Sequence, residues 1–465
     1  MKSNFNHFSF GLDHRLTAYK SRKRKTHGRP YAEAKASTSL SQMEIEGKMG
    51  LAANYYSKPF FATGEHVLAG EGLKVPFNIS TINLGQSKNV SFTYAEIIAM
   101  ADLYKDFNQM ANAPDSELRK LRAKIRQSRN YYDKKVRGLP KSQWGSEPSD
   151  ADWDTITNKR YSQLAIENFA HFAPSSKYNV GDHKASWEYY HEKAMDVAIQ
   201  GAVHRQSSPL ENKMLAINAF GDHFLTDAFS AGHLFNKQLV IDTFNNNMTG
   251  SKAITLFTNV AKWIYNDPSF KQVVTKFSRY EPNKSKYIDP DFKTPKMFVH
   301  LLSGIHSKRP EMFGKTAIAK IIHDKLNHLK GGIPVTNNYG DKWNLRGDGT
   351  LDMVTLNIMK KAVEQSIKNL MDAPTLDQNA YPDYLLDLVW GYVPRPTPQG
   401  QGTINRYIVL YTNPDNTQLA MSIAEIIRSN LDFLLQKLLD EKEIRKADDT
   451  FLGDAADWFY ENVIL

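Results

Sequence analysis

The sequence predicts a mainly α-helical, multi-helix bundle, and three observations carry that prediction. Apolar residues recur every three or four positions over long stretches, which sets them on one face of an α-helix. Helices do not alternate with strand-like segments, so no parallel α/β sheet is expected. No repeat of solenoid period runs through the chain. With 465 residues, 41% hydrophobic and 23% charged, the chain has an ordinary globular composition and the length to bury a sizeable core. No stretch approaches the roughly 18 unbroken apolar residues of a membrane span. The absence of cysteine excludes disulfides, thiolate metal sites and cysteine nucleophiles, and leaves His, Asp and Glu as the strong ligands. A formal net charge of +9 favours anionic partners such as phosphate esters, nucleic acid or an acidic membrane face.

Residues 1–45 read as a basic polar tail, with "KSRKRKTHGRP" at 20–30 and no apolar segment of a secretory signal. Residues 46–372 read as the helical domain. In "YAEIIAMADLYKDF" (94–107), Ile97, Ile98, Ala101 and Tyr104 share a helix face. The segment 116–138 is a basic helix with few apolar positions, expected to be exposed, and 138–150 is a loop by its Gly, Pro and Ser content. Three helical patterns fill 158–235. One carries Trp187, Tyr190, Ala194, Val197 and Ala198, another Met214, Ile217, Phe220, Phe224 and Ala228. After the polar break "NNNMTGSK", helices are expected over 252–265, 315–330 and 350–371. Residues 373–465 form a C-terminal extension. It holds the Pro-rich linker "VPRPTPQGQG", a strand candidate in "NRYIVLY" (405–411), and an amphipathic helix over 416–440 with Ile423, Ile427, Leu431, Leu434 and Leu438.

The stretch "GDHFLTDAFSAGHLF" (221–235) concentrates the chemistry. His223 and Asp227 are four apart and project from one helix face, one turn apart, as N/O coordination of a metal requires. His233 follows six residues later, beyond Ala231-Gly232, where a bend returns it to the same pocket. A lone H-x3-D pair is more simply a core histidine with its i+4 partner; the third member points to a metal. Further ligands are on offer at His66 in "FATGEHVLAGEG", at Asp102 in an otherwise apolar turn, and at His171 before Pro174. His323, Asp324 and Asn327 share a later helix, followed by Asp341 and Asp348 in a Gly/Asn-rich loop. Taken singly, none of these stands above a structural or solvated reading.

The stretch "NKMLAINAFGDHFLTDAFSAGHLFN" resembles the ligand helix of bacterial zinc-dependent phospholipase C, a family that shares its fold with fungal zinc nucleases acting on single strands. The family's His, Asp four later and His six after that fall on His223, Asp227 and His233. Its upstream His-Phe is similar to "AHF" (His171), its Ala-Asp-aromatic turn to "MADLY" (Asp102), and its small-x-His to "GEH" (His66). Two departures stand out. The family closes its ligand set with H-x3-E or H-x3-D, where this chain has His323 and Asn327 beyond an insertion at about 236–315. Secreted family members also ligate through an N-terminal tryptophan, and here no tryptophan precedes Trp144. The resemblance covers about 66–330 and is strongest over 158–236; the wording is most similar to that of the family's effector-type members.

What the resemblance implies is a phospholipase C of phosphatidylcholine type, using two or three zinc ions held by His66, Asp102, His171, His223, Asp227, His233, His323 and Asn327. Asp102 would also orient or deprotonate the attacking water, and the products would be diacylglycerol and a phosphorylated headgroup. The expected partner is phospholipid at a membrane surface, with nucleic acid second. The expected location is the bacterial cytosol, or outside it by a route that needs no signal peptide. Two alternatives differ in class. One is a single-strand nuclease or nucleotidase of the same fold, the other a non-catalytic binding protein with a degenerate metal site.

Overall fold

A computed structural model of the chain describes residues 62–177, 181–203, 208–249, 251–266, 317–375 and 383–429. The basic tail, the second half of the expected insertion, and Leu431, Leu434 and Leu438 lie outside the described residues. Among the described residues the protein is mainly α-helical, with fifteen α-helices and five short strands. In chain order the helices are α1 (Thr63–Gly70), α2 (Tyr94–Met100), α3 (Phe107–Ala111), α4 (Asp115–Val136), α5 (Asp150–Thr157), α6 (Arg160–Ile166), α7 (His183–Val203) and α8 (Ser208–Asp227). They continue as α9 (Lys237–Asn247), α10 (Ser251–Asn266), α11 (Ala319–Asn327), α12 (Met353–Asp372), α13 (Asp383–Trp390), α14 (Pro398–Thr412) and α15 (Thr417–Ser429). The strands are β1 (Ile82–Leu84), β2 (Val90–Phe92), β3 (Ile333–Thr336), β4 (Lys342–Leu345) and β5 (Arg395–Pro396).

The centre is the pair α7 and α8, whose predicted apolar faces are both buried. Close approach is enforced at Gly221 of α8, where an added Cβ would lie 2.7 Å from Tyr190 Cβ of α7. α8 also packs against α2 and α12. α1 lies on α4 and α2. Gly64 lets α1 come that close, because a Cβ there would stand 2.4 Å from the Ser128 carbonyl oxygen. The basic helix α4 is not simply exposed. Its Lys and Arg residues flank a buried stripe of Leu118, Leu121, Ile125, Ser128 and Tyr132 at three- and four-residue spacing.

The helix expected across 94–107 breaks. α2 starts with a capping box, Thr93 Oγ1 accepting from the Glu96 amide and Glu96 from the Thr93 amide. It ends at Met100, and Ala101–Leu103 forms a 3-10 turn before extended Tyr104. Arg160 fixes the turn by donating to the Leu103 carbonyl at 2.6 Å, and Asp106 caps α3. The break buries Asp102, 2% exposed, in the interior.

The strand expected at 405–411 is helical. Thr397 caps α14, accepting from the Gly400 amide, and Pro398 occupies the first turn, where its missing N–H costs nothing. Ile404, Tyr407, Ile408 and Tyr411 then face inward at helical spacing while Val409 is 66% exposed, a pattern no strand gives. Strands form instead in the segment read as a Gly/Asn-rich loop. β3 and β4 pair antiparallel with Ile333 opposite Leu345 and Val335 opposite Trp343, all four buried, and β5 joins β3. A second hairpin joins β1 and β2.

One hydrophobic core runs from Ala62 to Ala424. It takes in Val240, Phe244 and Phe257 of the expected insertion, and Val389, Ile404 and Ile423 of the expected C-terminal extension. No described helix is long and apolar enough to cross a membrane. Gly221→Val should overpack the α7–α8 contact and cost about 1–3 kcal/mol in chemical denaturation. An unchanged denaturation midpoint would show that this contact does not hold the pair together.

Candidate metal centre

Seven segments bring titratable side chains to one buried place. α1 supplies His66, the turn after α2 supplies Asp102, and the 3-10 turn Phe169–His171 supplies His171. The C-terminal end of α8 supplies His223 and Asp227, and the 3-10 turn Ala231–His233 supplies His233. α11 supplies His323, and the loop between β4 and α12 supplies Asp348. The histidines, Asp102 and Asp227 are buried, from His223 at 0% to His171 at 9% exposed, and Asp348 is partly buried.

Their ligand atoms fall into three groups, each within 4.8 Å: His66, His223 and Asp227; Asp102, His171 and His223; and His233, His323 and Asp348. Asp227 lies among them. Its Oδ2 is 2.7 Å from His171 Nδ1 and 3.2 Å from His223 Nε2. Its Oδ1 is 3.7 Å from His66 Nε2 and 3.6 Å from His233 Nδ1. Asp102 Oδ1 is 3.0 Å from His223 Nε2, and Asp348 Oδ2 is 3.1 Å from His323 Nε2 and 3.7 Å from His233 Nε2.

Several atoms here make no hydrogen bond despite full burial: Asp102 Oδ2, Asp227 Oδ1, and His233 Nε2. Orphaned buried polar atoms are costly. A divalent cation would satisfy them, and the donor set of imidazoles and carboxylates suits zinc.

The surrounding residues prepare the histidines. Thr226 spends its hydroxyl proton on the His223 carbonyl at 2.8 Å, so toward His66 Nδ1 at 2.7 Å it accepts. That fixes the proton on Nδ1 and frees Nε2 toward Asp227. His323 Nδ1 faces Asp324 at 3.1 Å, with Asp324 paired to Lys320 at 3.0 Å, leaving Nε2 toward Asp348.

Without a metal the charges compensate one another. Burial pushes the His223 imidazole down, but Asp102 and Asp227 outweigh it and raise the group to about 10. Burial pushes Asp227 up, and His223 and His171 outweigh that to hold it well below the usual carboxylate range. Asp348 is brought to about 2 by His233 and His323 against its own burial. His233 falls to about 4 through burial, Asp348 and Asp227 opposing.

Of the residues expected as ligands, His66, Asp102, His171, His223, Asp227, His233 and His323 converge. Asn327 has its side chain engaged by hydrogen bonds instead. Its Oδ1 accepts from the Gly232 amide at 2.7 Å and from Ser230 Oγ at 3.1 Å, and the amide donor there identifies this atom as the oxygen. Its Nδ2 donates to Asp348 Oδ2 at 3.0 Å. Asp348 therefore brings the negative charge to His233 and His323, and Asn327 holds it in place. The bend expected at Ala231-Gly232 is the 3-10 turn Ala231–His233, which Gly232 makes without a positive φ. Gly232 permits close approach, as a Cβ there would lie 2.3 Å from Asn327 Oδ1. Gly347 does the same from the other side, at 2.1 Å.

A separate cavity of ≈ 970 Å³ lined by Val67, Gly70, Arg126 and Arg129 contains none of these ligand candidates. Both arginines in it are paired, Arg126 with Glu96 and Arg129 with Glu71. Comparison with protein-family models, with curated proteins and with solved structures returned no match.

Two predictions follow from this geometry. Asp348→Ala should remove about one metal equivalent by elemental analysis, whereas Asn327→Ala should keep the full count and lose about 1–3 kcal/mol of stability from the unsatisfied Gly232 amide. Equal metal loss in both would restore Asn327 as a ligand. At pH 7 the His223 imidazole, raised to about 10, carries a proton that a ligating nitrogen cannot keep. Metal binding should therefore release protons, seen as a dependence of calorimetric heat on buffer ionisation enthalpy; heat independent of buffer would contradict it.

Proposed function

We propose that the protein is a zinc-dependent phosphodiesterase of the phospholipase C type, hydrolysing phospholipid to diacylglycerol and a phosphorylated headgroup. The observation that carries the proposal is the Asp227 carboxylate, whose two oxygens face different sets of histidines within one buried cluster. That is the arrangement of a carboxylate shared between cations. Its likeness in spacing to the phospholipase C ligand helix gives the substrate class. Two or three zinc ions bound here would supply Lewis acidity toward phosphoryl oxygens and activate water at neutral pH.

The chain's own residues do the rest. His66, His171, His223 and Asp227 hold the charge-neutralising end of the cluster, and His233, His323 and Asp348 the other. Asp102 is a buried carboxylate with one oxygen against His223 and the other free of hydrogen bonds, which suits it to orient the attacking water and accept its proton. In-line attack on phosphorus then expels the diacylglycerol alkoxide. No side-chain nucleophile is needed, in keeping with a chain that has no cysteine.

The test incubates purified protein with phosphatidylcholine vesicles and, separately, with single-stranded DNA, each with zinc and with chelator. Phosphocholine release is expected, abolished by chelator. Because Asp227 faces His66, His171, His223 and His233 at once, Asp227→Ala should lower the rate beyond the roughly 10–100-fold typical of losing an outer-shell partner. DNA cleavage with intact lipid would reassign the site to a nuclease. Activity on neither substrate, with no bound metal, would leave a binding protein.

A further inference from the structure

Glu65, next to the ligand His66 on α1, is 7% exposed and has a role outside the ligand set. Its two carboxylate oxygens accept from backbone amides of the loop between β4 and α12, Oε2 from Gly349 at 3.1 Å and Oε1 from Leu351 at 3.0 Å. The first of these amides follows Asp348 directly and the second lies three residues beyond it. The loop is also tied at its ends, and within it Thr350 closes a turn on the Gly347 carbonyl. The Ala231 amide donates to the Arg346 carbonyl at 3.0 Å, and Asp352 caps α12 through the Thr355 amide at 2.9 Å. Between these ends, Glu65 grips the backbone that carries Asp348.

A carboxyl group buried this deeply is a poor choice if packing alone were at stake. An apolar side chain of similar size would leave the Gly349 and Leu351 amides without these partners. Consecutive residues of α1 thus have distinct tasks. Gly64 admits α4, Glu65 docks the Asp348 loop, and His66 faces Asp227.

We infer that Glu65 is a positioning residue that sets Asp348 against His233 and His323, and so ties this ligand group to the helix that carries His66. The inference rests on the reading that the cluster holds metal. Asn327 steers the Asp348 carboxylate, and Glu65 fixes the backbone from which that carboxylate extends.

The test compares wild type with Glu65→Gln, which keeps the shape but turns an amide NH2 toward a loop N–H. Zinc content, the visible spectrum of the cobalt-substituted protein, and hydrogen exchange at residues 349–351 are measured. Glu65→Gln is expected to lose about 10–100-fold in affinity for one metal equivalent. The remaining equivalents should stay bound, with an altered cobalt spectrum and faster exchange at Gly349 and Leu351. Unchanged metal affinity and exchange would overturn the inference. So would loss of every equivalent together with the far-UV signal of the fold, which would mark Glu65 as a general structural residue. Wild type that binds no zinc or cobalt would overturn the metal reading itself, and with it the inference; metal-replete wild type with an indifferent Glu65→Gln would sink the inference alone.

Discussion

Asp227 at the end of α8 is the interaction on which the rest of the structure depends. Its carboxylate is 1% exposed and faces four imidazoles, so the protein has placed an anion and several potential cations where water cannot screen them. Such a cluster is tolerable only when its charges are mutually satisfied. Without a metal, protonated His223 between Asp102 and Asp227 does part of this, and it still leaves orphaned oxygens on both carboxylates. The apolar residues around the cluster, Phe172, Phe224 and Ala231 among them, exclude water and raise what a cation there is worth.

A second buried polar network fixes α8 in rotation so that Asp227 points where it does. Asp222, one residue before His223, faces away from the cluster and accepts from Tyr94 of α2 at 2.5 Å, Trp187 of α7 at 3.2 Å and Ser366 of α12 at 2.6 Å. Burial pushes Asp222 up to about 7, against the hydrogen bonds that lower it. Asn218, one turn earlier, bonds Tyr94, Ser366 and His191. Consecutive residues of one helix therefore serve two networks, one structural and one directed at the candidate site. Three neighbouring helices meet the first, and the second inherits their rigidity.

Much of this site was legible in the sequence, because helical periodicity converts spacing into direction. His223 and Asp227, four apart on one helix, had to share a face, and Asp102 in an apolar turn called for a partner. Asp348 was on offer in the sequence, but nothing there placed it with His233 and His323. It reaches His323 only because the β3–β4 hairpin folds the chain back on α11, and nothing local in "GDG" reveals a contact made 25 residues away. The same fold-back explains why Asn327 took the ligand's place in a reading by spacing. It stands at the expected i+4 position, yet two flanking glycines draw its oxygen to backbone and hydroxyl donors. The strand expected at 405–411 failed for a related reason. An Ile-Val pair suggests β structure, but the Thr397 cap and Pro398 start a helix whose buried face decides the outcome.

The most direct measurement is anomalous diffraction at the zinc absorption edge from crystals grown with zinc and without chelator. The account predicts peaks at about 2.0–2.2 Å from the ligand atoms of Asp227, His171 and His223, and from those of His233, His323 and Asp348. Asn327 should lie outside bonding distance of every peak. Zinc found only at surface histidines, with the Asp227 cluster closed on its own hydrogen bonds, would contradict it.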